Sequence, residues 1–271
     1  MCLSLLEEEW DVAIILDACR YDSFKKLYKK YLPKGKLEKR LGASNTSEWL
    51  SNVFKKYHND IVYVSGHPGI NSIINSKHWC AKDKFFKIYD VWDIGWDEKL
   101  NTTKPVYVKK VALKAIKENK KKKVIVHFIQ PHTPYRKAPT DMVWNKVNNV
   151  STSKELSYHF RKYIGDLLQK SHLVTEYWKL RKLLRLKPRS LHEYYFFYFS
   201  IKELKNFYED NLIWVLGCIK EFIESIKDKN KKIIVTSDHG EAFGERREYF
   251  HSYYNTTNPI IRMVPFFKIY R

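Results

Sequence analysis

Five short apolar segments, rich in β-branched residues, are distributed along the whole chain. They are VAIIL at residues 12–16, IVYVSG at 61–66, VIVHFIQ at 124–130, KIIVT at 232–236 and MVPFFKIY at 263–270. Continuous apolar runs of this length are typical of strands that are buried on both faces of a sheet. The pattern therefore predicts five strands of a covered sheet.

Segments with apolar residues at helical spacing lie between these runs. The clearest are YDSFKKLYKKYL, SEWLSNVFKKYH, VYVKKVALKAIKENK and ELKNFYEDNLIWVLGCIKEFIESIKDK. Strands that alternate with helices favour an α/β fold with a mainly parallel sheet. A length of 271 residues suits a single domain covering residues 1–271, with room for an insertion.

Residues 136–200 interrupt the alternation. This segment contains HLVTEYWKLRKLLRLKPRSLHEYYFFYFS, which is dense in aromatic and cationic residues. We interpret it as an insertion that forms a lid or cap over the sheet. Within it, residues 178–189 place leucines at helical spacing between cations, a pattern compatible with a helix on an anionic lipid surface. We favour the simpler interpretation of a surface helix that packs its leucines on the domain.

The chain carries a formal net charge of +20, mostly from lysine. Such an excess is common in proteins that bind nucleic acid, anionic lipid or anionic substrates. The lysines are spread over several segments, as in a solvated surface, and the sequence contains no helix-turn-helix, zinc-finger or RNA-recognition motif. A nucleic-acid-binding protein is therefore an alternative that we do not favour.

The cysteines and the N-terminal segment bear on location. The four cysteines are scattered without a CxxC pair, which is typical of a reducing compartment. The segment MCLSLLEEEWD lacks the basic region and long apolar core of a secretory signal. No run approaches the roughly 18 apolar residues that a membrane span needs. We expect a cytoplasmic protein, with a membrane-peripheral location as the alternative.

Chemically versatile side chains follow three of the apolar runs. Asp17 follows VAIIL, His132 lies in QPHTPY after VIVHFIQ, and Asp238 and His239 follow KIIVTS. In open α/β sheets ligands bind at the carboxyl ends of the strands, so these side chains converge on one edge. We interpret that edge as a metal or anion site. A helix N-cap for Asp17 and a hydrogen-bonded structural role for His132 are the simpler alternatives.

The segment GASNTSEWLSNVFKKY is a loop of small residues that leads into an amphipathic helix. The helix is predicted to begin near Thr46, with Ser47 and Glu48 in its first turn, and helix capping alone explains this composition. A hydroxyl at a helix N-terminus also lies where an alkoxide and phosphate oxygens are stabilised. Beside a divalent metal ion, such a hydroxyl is a competent nucleophile.

The order of these motifs resembles the alkaline phosphatase superfamily, specifically its sulfatase-like branch. LDACRYDSF, the hydroxyl residue that opens a helix, HFIQPHTPY and TSDHGEAFGE follow one another in the superfamily's order. The resemblance implies a three-layer α/β/α sandwich around a mainly parallel sheet, with a helical insertion. It also implies an enzyme that acts on anionic phosphate or sulfate esters with a bound divalent ion, either zinc, manganese or magnesium.

The resemblance further implies roles for six positions. They are metal ligand for Asp17, Asp238 and His239, nucleophile and metal ligand for Thr46, and contact to the substrate anion or a second metal ion for His132 and His251. Ser44 and Ser47 are alternatives to Thr46 as the nucleophile. We expect one tightly bound ion, with two as the alternative, because the second site needs a further acid that the sequence does not place.

Four charged residues near these motifs are interpreted as structural. Arg20 and Asp22 in LDACRYDSF are expected to pair at the start of a helix, and Glu241 and Glu245 resemble residues that brace a loop.

Two departures from the sulfatase pattern change the expected substrate. The chain has no C/S-x-P-x-R segment of the kind that is converted to formylglycine, and Ala18 follows Asp17 where those enzymes commonly have a second aspartate. We therefore expect hydrolysis or transfer of a phosphomonoester or phosphodiester through an unmodified threonine. A sulfate-ester hydrolase and a catalytically inactive scaffold are the alternatives.

Overall fold

The computed structural model describes residues 5–73, 81–139, 173–251 and 256–270. The strands are β1 (Val12–Asp17), β2 (Gly35–Leu41), β3 (His58–Ser65), β4 (Phe85–Asp90), β5 (Trp96–Asp97), β6 (Thr102–Thr103), β7 (Lys123–Pro131), β8 (Ile233–Ser237), β9 (Ala242–Phe243), β10 (Tyr249–Phe250) and β11 (Met263–Ile269). The α-helices are α1 (Tyr21–Leu27), α2 (Thr46–Val53), α3 (Val91–Gly95), α4 (Pro105–Glu118), α5 (Val174–Leu183), α6 (Leu191–Tyr198), α7 (Ile201–Ser225) and α8 (Pro259–Arg262).

Seven of these strands form one sheet in the order β2-β11-β8-β1-β7-β3-β4. The central strand β1 is parallel to both neighbours, with Val12 opposite Val124 on β7 and Ile233 on β8. Only β11 runs antiparallel within this sheet, to β8 and β2. The prediction of a mainly parallel sheet is confirmed, and all five predicted strands are present in it.

The two edge strands, β2 and β4, were not predicted from the sequence. Most of their residues are half-buried or exposed, so their sequences GKLEKRL and FFKIYD lack the continuous apolar run of the central strands. An edge strand has a neighbour on one side alone and can keep polar residues. The hydrophobic pattern of these segments was therefore too weak to identify them.

Both faces of the sheet are covered, which accounts for the apolar runs. Along β1, Val12, Ile14 and Leu16 lie in one core cluster, which includes apolar residues of α1, α4 and α7. Ala13 and Ile15 lie in the cluster on the opposite face, which includes apolar residues of α2. Alternate side chains of a strand point to opposite faces, so the helices form two layers around the sheet.

A third apolar cluster joins the described part of the insertion to the rest of the fold. It contains aromatic side chains of α5, α6, α7, β9 and β10 together with Tyr135. Residues 140–172 of the segment interpreted as an insertion lie outside the described residues, so a lid or cap function stays a prediction. None of the helices that the structure describes is both long enough and apolar enough to span a bilayer.

Candidate active site

The carboxyl end of β1 places Asp17 in the interior at the edge of the sheet. The register with β7 shifts between Leu16 and Asp17, and the next residue, Ala18, has a φ angle of 59°. Non-glycine residues seldom adopt this left-handed conformation without support. The Ala18 N–H donates to Asp238 Oδ1 at 3.2 Å, and the Ala18 carbonyl accepts from the Tyr208 hydroxyl at 2.8 Å. These bonds hold the turn that follows Asp17.

The carboxyl end of β8 places Asp238 and His239 beside this turn, and both side chains are fully buried. The Ser237 hydroxyl lies 2.6 Å from the carbonyl oxygen of Leu16, which links the ends of the two strands. His239 Nδ1 donates to the Gly240 carbonyl at 2.9 Å. This bond leaves Nε2 as the ring atom that faces the acids, the arrangement that second-shell bonds give to metal-binding histidines.

The predicted metal ligands meet around His239 Nε2. This atom lies 3.4 Å from Asp17 Oδ1 and 3.5 Å from Asp238 Oδ2. It also lies 3.3 Å from the Thr46 hydroxyl oxygen. One ligand atom from each of Asp17, Asp238 and His239 falls within 4.8 Å of the others. We call these three residues the aspartate group.

Helix α2 holds Thr46 in place at its first position. Asn45 is the N-cap, and its side chain accepts the Glu48 N–H at 2.9 Å. The Glu48 carboxylate accepts the Ser44 N–H at 2.7 Å and an N–H of Arg262 at 2.8 Å. The predicted start of this helix is confirmed, and both ends of the loop that leads to Thr46 are fixed by hydrogen bonds.

The two alternative nucleophiles lie in different surroundings. Ser44 is fully buried, and its hydroxyl oxygen accepts the Thr256 N–H at 3.0 Å and an N–H of Arg262 at 2.9 Å. Ser47 is exposed. Of the three hydroxyls, that of Thr46 is the one that contacts His239.

His132 and His251 meet a carboxylate beside the aspartate group. Ligand atoms of His132, Glu241 and His251 lie within 4.8 Å of one another, and His251 Nδ1 is 3.0 Å from Glu241 Oε1. The His251 and His239 ring centroids are 4.4 Å apart. We call these three residues the histidine group. Glu241, interpreted from the sequence as a loop brace, is the acid that the sequence did not place.

The expected structural pair between Arg20 and Asp22 is confirmed. Arg20 Nη2 lies 2.6 Å from Asp22 Oδ2, and Nη1 lies 3.0 Å from Glu245 Oε1. The same guanidinium donates to the backbone carbonyl of Glu241 at 3.1 Å. Arg20 therefore connects the start of α1 to the loop after β8, and Glu245 braces that loop as expected.

Three further histidines near the site were missed in the sequence. His67 Nε2 lies 3.6 Å from Asp17 Oδ2, and the buried His127 lies with its ring centroid 6.0 Å from that of His67. His67 lies two residues after the end of β3, so the strand-end rule applied to IVYVSGH was sufficient to find it. His192 on α6 lies 3.2 Å from the Thr133 hydroxyl, and its position in the insertion has no such signal.

The electrostatics of the aspartate group favour a cation. Burial on its own raises the pKa of Asp17, but the charges of His132 and His239 outweigh burial, and the pKa is held far below its usual range. Burial disfavours the charged form of His239, yet the charges of Asp238 and Asp17 raise its pKa to about 10. Two buried carboxylates therefore stabilise positive charge between them.

In the histidine group, burial disfavours the charged forms of Glu241 and His251. Burial raises the pKa of Glu241 to about 8 and lowers the pKa of His251 well below its usual value. His251 Nδ1 and Glu241 Oε1 are hydrogen-bonded at 3.0 Å, and burial disfavours the charged form of both groups.

The residues of both groups fit a bound divalent cation. Asp17 Oδ1, Asp238 Oδ2 and Glu241 Oε2 are buried and have no hydrogen-bond partner among the described residues. Buried carboxylate oxygens are unfavourable unless a hydrogen bond or a cation compensates them. Carboxylate oxygen and imidazole nitrogen, without sulfur, form a donor set that suits zinc, manganese or magnesium.

The family follows from the sequence. The family model described as Sulfatase matches residues 42–270, which include every candidate site residue except Asp17. The chain belongs to the sulfatase family. No protein of curated function matches this sulfatase-family chain by sequence.

Solved structures agree with the fold. The soluble domain of lipooligosaccharide phosphoethanolamine transferase A from Neisseria meningitidis is 13% identical, with a TM-score of 0.52 over 95% of this chain and 75% of that one. The integral membrane form of that protein is 13% identical, with a TM-score of 0.54, and the match covers 95% of this chain but 46% of that one. The C-terminal periplasmic domain of EcEptC from Escherichia coli, in complex with Zn, is 12% identical, with a TM-score of 0.54 over 96% of this chain and 73% of that domain. These similarities place the chain in the alkaline-phosphatase-like fold.

Proposed function

We propose that this protein is a metal-dependent enzyme that transfers or hydrolyses the phosphoryl group of a phosphate ester, with Thr46 as its nucleophile. The observation that carries the proposal is the position of the Thr46 hydroxyl. It opens a helix and lies 3.3 Å from His239 Nε2, the same atom that faces Asp17 and Asp238. Membership of the sulfatase family supports chemistry at an anionic ester.

Asp17, Asp238 and His239 are proposed to hold one divalent ion, with Thr46 beside it. When bound, such an ion lowers the pKa of an adjacent hydroxyl and polarises an ester oxygen. The unpartnered oxygens of Asp17 and Asp238 supply two of the ligand atoms. The EcEptC domain, which shares this fold, was solved in complex with Zn, and zinc is one of the ions that this donor set suits.

Thr46 attacks the phosphorus atom in this mechanism. The bond from Thr46 Oγ1 to phosphorus forms while the ester oxygen leaves with the remainder of the substrate. The proton that the Thr46 hydroxyl loses balances the proton that the leaving oxygen takes up. Water or an acceptor alcohol then attacks the phosphothreonine and regenerates the hydroxyl. The N–H groups of Thr46 and Ser47 lack intrahelical partners because they are in the first turn of α2, so they can bind the phosphoryl oxygens.

His132 and His251 are proposed to contact the remaining phosphoryl oxygens. Their rings lie 4.9 Å apart, and the His251 ring lies 4.4 Å from that of His239. Both are thus placed to donate hydrogen bonds to phosphoryl oxygens on which negative charge develops. The Glu241 carboxylate, which lies close to both histidines, also allows a second ion to bind. A measured content of two metal ions per chain would reveal it.

The nucleophile is tested by substitution with the metal retained. We expect Thr46→Ala to lower turnover of an aryl phosphate ester by about a thousandfold or more, and acid quenching of the wild type to trap phosphate on Thr46. Ser47→Ala is the matched control, because it removes a neighbouring exposed hydroxyl and should leave turnover nearly unchanged. Full activity of Thr46→Ala, or phosphate found on Ser44 or Ser47, contradicts the assignment.

The ester class is tested with a panel of substrates. Phosphomonoesters, phosphodiesters and sulfate esters are assayed with the protein loaded with zinc, manganese or magnesium in turn, and elemental analysis gives the metal content. We expect a phosphate ester to be preferred. Preference for a sulfate ester contradicts the inference from the absent formylglycine segment, and failure to bind any divalent ion supports an inactive scaffold.

A further inference from the structure

Helix α5 and the residues that follow it expose large apolar side chains. Four leucines, which we call the leucine patch, have high exposed fractions: Leu180 54%, Leu183 79%, Leu184 59% and Leu186 44%. The helix packs on the domain through other side chains, with Val174 and Trp178 in the aromatic cluster. The interpretation that the leucines pack on the domain is therefore wrong for the described residues. Contiguous exposed apolar residues usually mark an interaction surface.

The leucine patch is interleaved with cations. The exposed cationic residues in the same stretch are Lys179, Lys182, Arg185, Lys187 and Arg189. The exposed acid there, Glu176, pairs with Lys179, whereas Arg181 is buried. Leucines that insert at the acyl boundary, beside cations that bind lipid phosphates, are typical of helices that lie on anionic membranes.

The turn between α5 and α6 holds the leucine patch in one conformation. The side chains of Arg181 and Glu193 form a buried ion pair. The Glu193 carboxylate also accepts the Arg189 N–H at 2.6 Å, and Arg181 Nη2 donates to the Lys187 carbonyl at 2.6 Å. The surface is thus preformed, so binding needs little ordering of the chain.

The same turn is connected to the candidate active site. Helix α6 begins one residue after Ser190, and its His192 lies 3.2 Å from the Thr133 hydroxyl, next to His132. The leucine patch is therefore separated from His192, which lies beside the histidine group, by the turn between α5 and α6.

We propose that the leucine patch and its cations dock on the surface of a bilayer that contains anionic phospholipid. Two copies of this chain would bring like charges together, which disfavours a second copy as the occupant. A nucleic acid would leave the leucines without apolar partners. The proposal goes beyond the phosphoryl chemistry, because docking requires neither the metal ion nor Thr46.

Vesicle sedimentation tests the docking. The full chain is mixed with vesicles of phosphatidylglycerol and phosphatidylcholine, and with vesicles of phosphatidylcholine alone. We expect binding to the anionic vesicles that weakens as salt is added. The double variant Leu183→Ser, Leu184→Ser should bind roughly tenfold more weakly or worse. Arg185→Gln should weaken binding about fivefold.

Matched controls distinguish binding through the leucine patch from binding through any exposed cation or apolar side chain. Ile94→Ser removes an apolar side chain that is 69% exposed on α3, and Lys114→Gln removes an exposed cation on α4, so neither should change binding appreciably. Thermal melting checks that every variant is folded. Wild-type binding by the double variant, absence of binding to anionic vesicles, or a dimer that the double variant dissociates overturns the proposal.

Discussion

The amide of Asn211 connects helix α7 to the loop that carries His132. Asn211 is fully buried. Its Oδ1 accepts the Arg136 N–H at 3.0 Å, and its Nδ2 donates to the carbonyls of Pro134 at 3.0 Å and His132 at 3.2 Å. One side chain therefore ties three backbone groups of residues 132–136 to helix α7.

Replacement of Asn211 by alanine should cost the protein both stability and activity. The Arg136 N–H and two carbonyls lose their partner, and each buried unsatisfied group costs about 1–3 kcal/mol. Carbonyls tolerate such loss better than N–H groups, so we expect the free energy of unfolding to fall by about 3 kcal/mol in total. Because the hydrogen bond from Asn211 to the His132 carbonyl positions His132, kcat should also fall about tenfold or more.

Urea unfolding of the metal-free protein measures the stability, and steady-state kinetics at full metal loading measure the activity. Asn206→Ala is the matched control, since Asn206 is exposed on the same helix and its loss should change the free energy of unfolding by less than about 0.5 kcal/mol. Asn211→Asp keeps the acceptor but sets a carboxylate against two carbonyls, so it should be no more stable than the alanine variant. A loss below about 1 kcal/mol for Asn211→Ala refutes the reasoning.

Three further substitutions are expected to lower stability for different reasons. Burial on its own raises the pKa of Asp210, but Arg136 and a neighbouring lysine outweigh burial and lower it. The ionised carboxylate therefore stabilises the folded protein above the usual aspartate pKa, and this stabilisation is lost as pH falls through the lowered pKa of the folded state. Asp210→Asn should therefore cost about 1–2 kcal/mol at pH 7, with a difference that shrinks below about pH 4. Glu193→Ala leaves Arg181 buried without its partner and should cost about 3–5 kcal/mol in urea unfolding. Gly240→Ala would place a Cβ 2.2 Å from a backbone carbonyl oxygen, so we expect a loss of about 2–4 kcal/mol by thermal melting.

The Glu193 and Gly240 substitutions each have a matched comparison. Glu176→Ala removes an exposed partner of Lys179 and should cost less than about 0.5 kcal/mol. Gly217→Ala adds a Cβ that meets nothing within 4 Å on a helix, so it should be neutral or stabilising. A difference for Asp210→Asn that does not change with pH, or a Gly240→Ala variant as stable as Gly217→Ala, contradicts the corresponding argument.

The central strands and the aspartate group were predictable because their signals are local. VAIIL and the IIV of KIIVT are apolar because both faces of β1 and β8 are covered. The residues that follow these strands reach one edge because the strands are parallel and adjacent. Thr46 was predictable as a helix start, and its place beside His239 required the fold.

The composition of the histidine group was not predictable in the same way. Glu241 follows His239 by two residues, and a sequence pattern does not show whether its carboxylate braces a loop or faces His251. His192, which lies beside this group without belonging to it, comes from the insertion, outside the alternation of strands and helices. Contacts between segments far apart in the chain depend on how the layers pack, which no local pattern encodes.

The leucine patch shows the same difference between what the sequence determines and what the tertiary structure determines. The sequence by itself determined that leucines and cations share a helical spacing, since the spacing is a property of consecutive residues. Only the tertiary structure decided which face of the helix is buried, because Trp178 and Val174 fill the aromatic cluster and leave the leucines outside it. For this protein, the sequence determined the central strands and most of the candidate ligands. The packing of the layers, and of the insertion on α7, β9 and β10, decided which remaining side chains reach the site and which stay exposed.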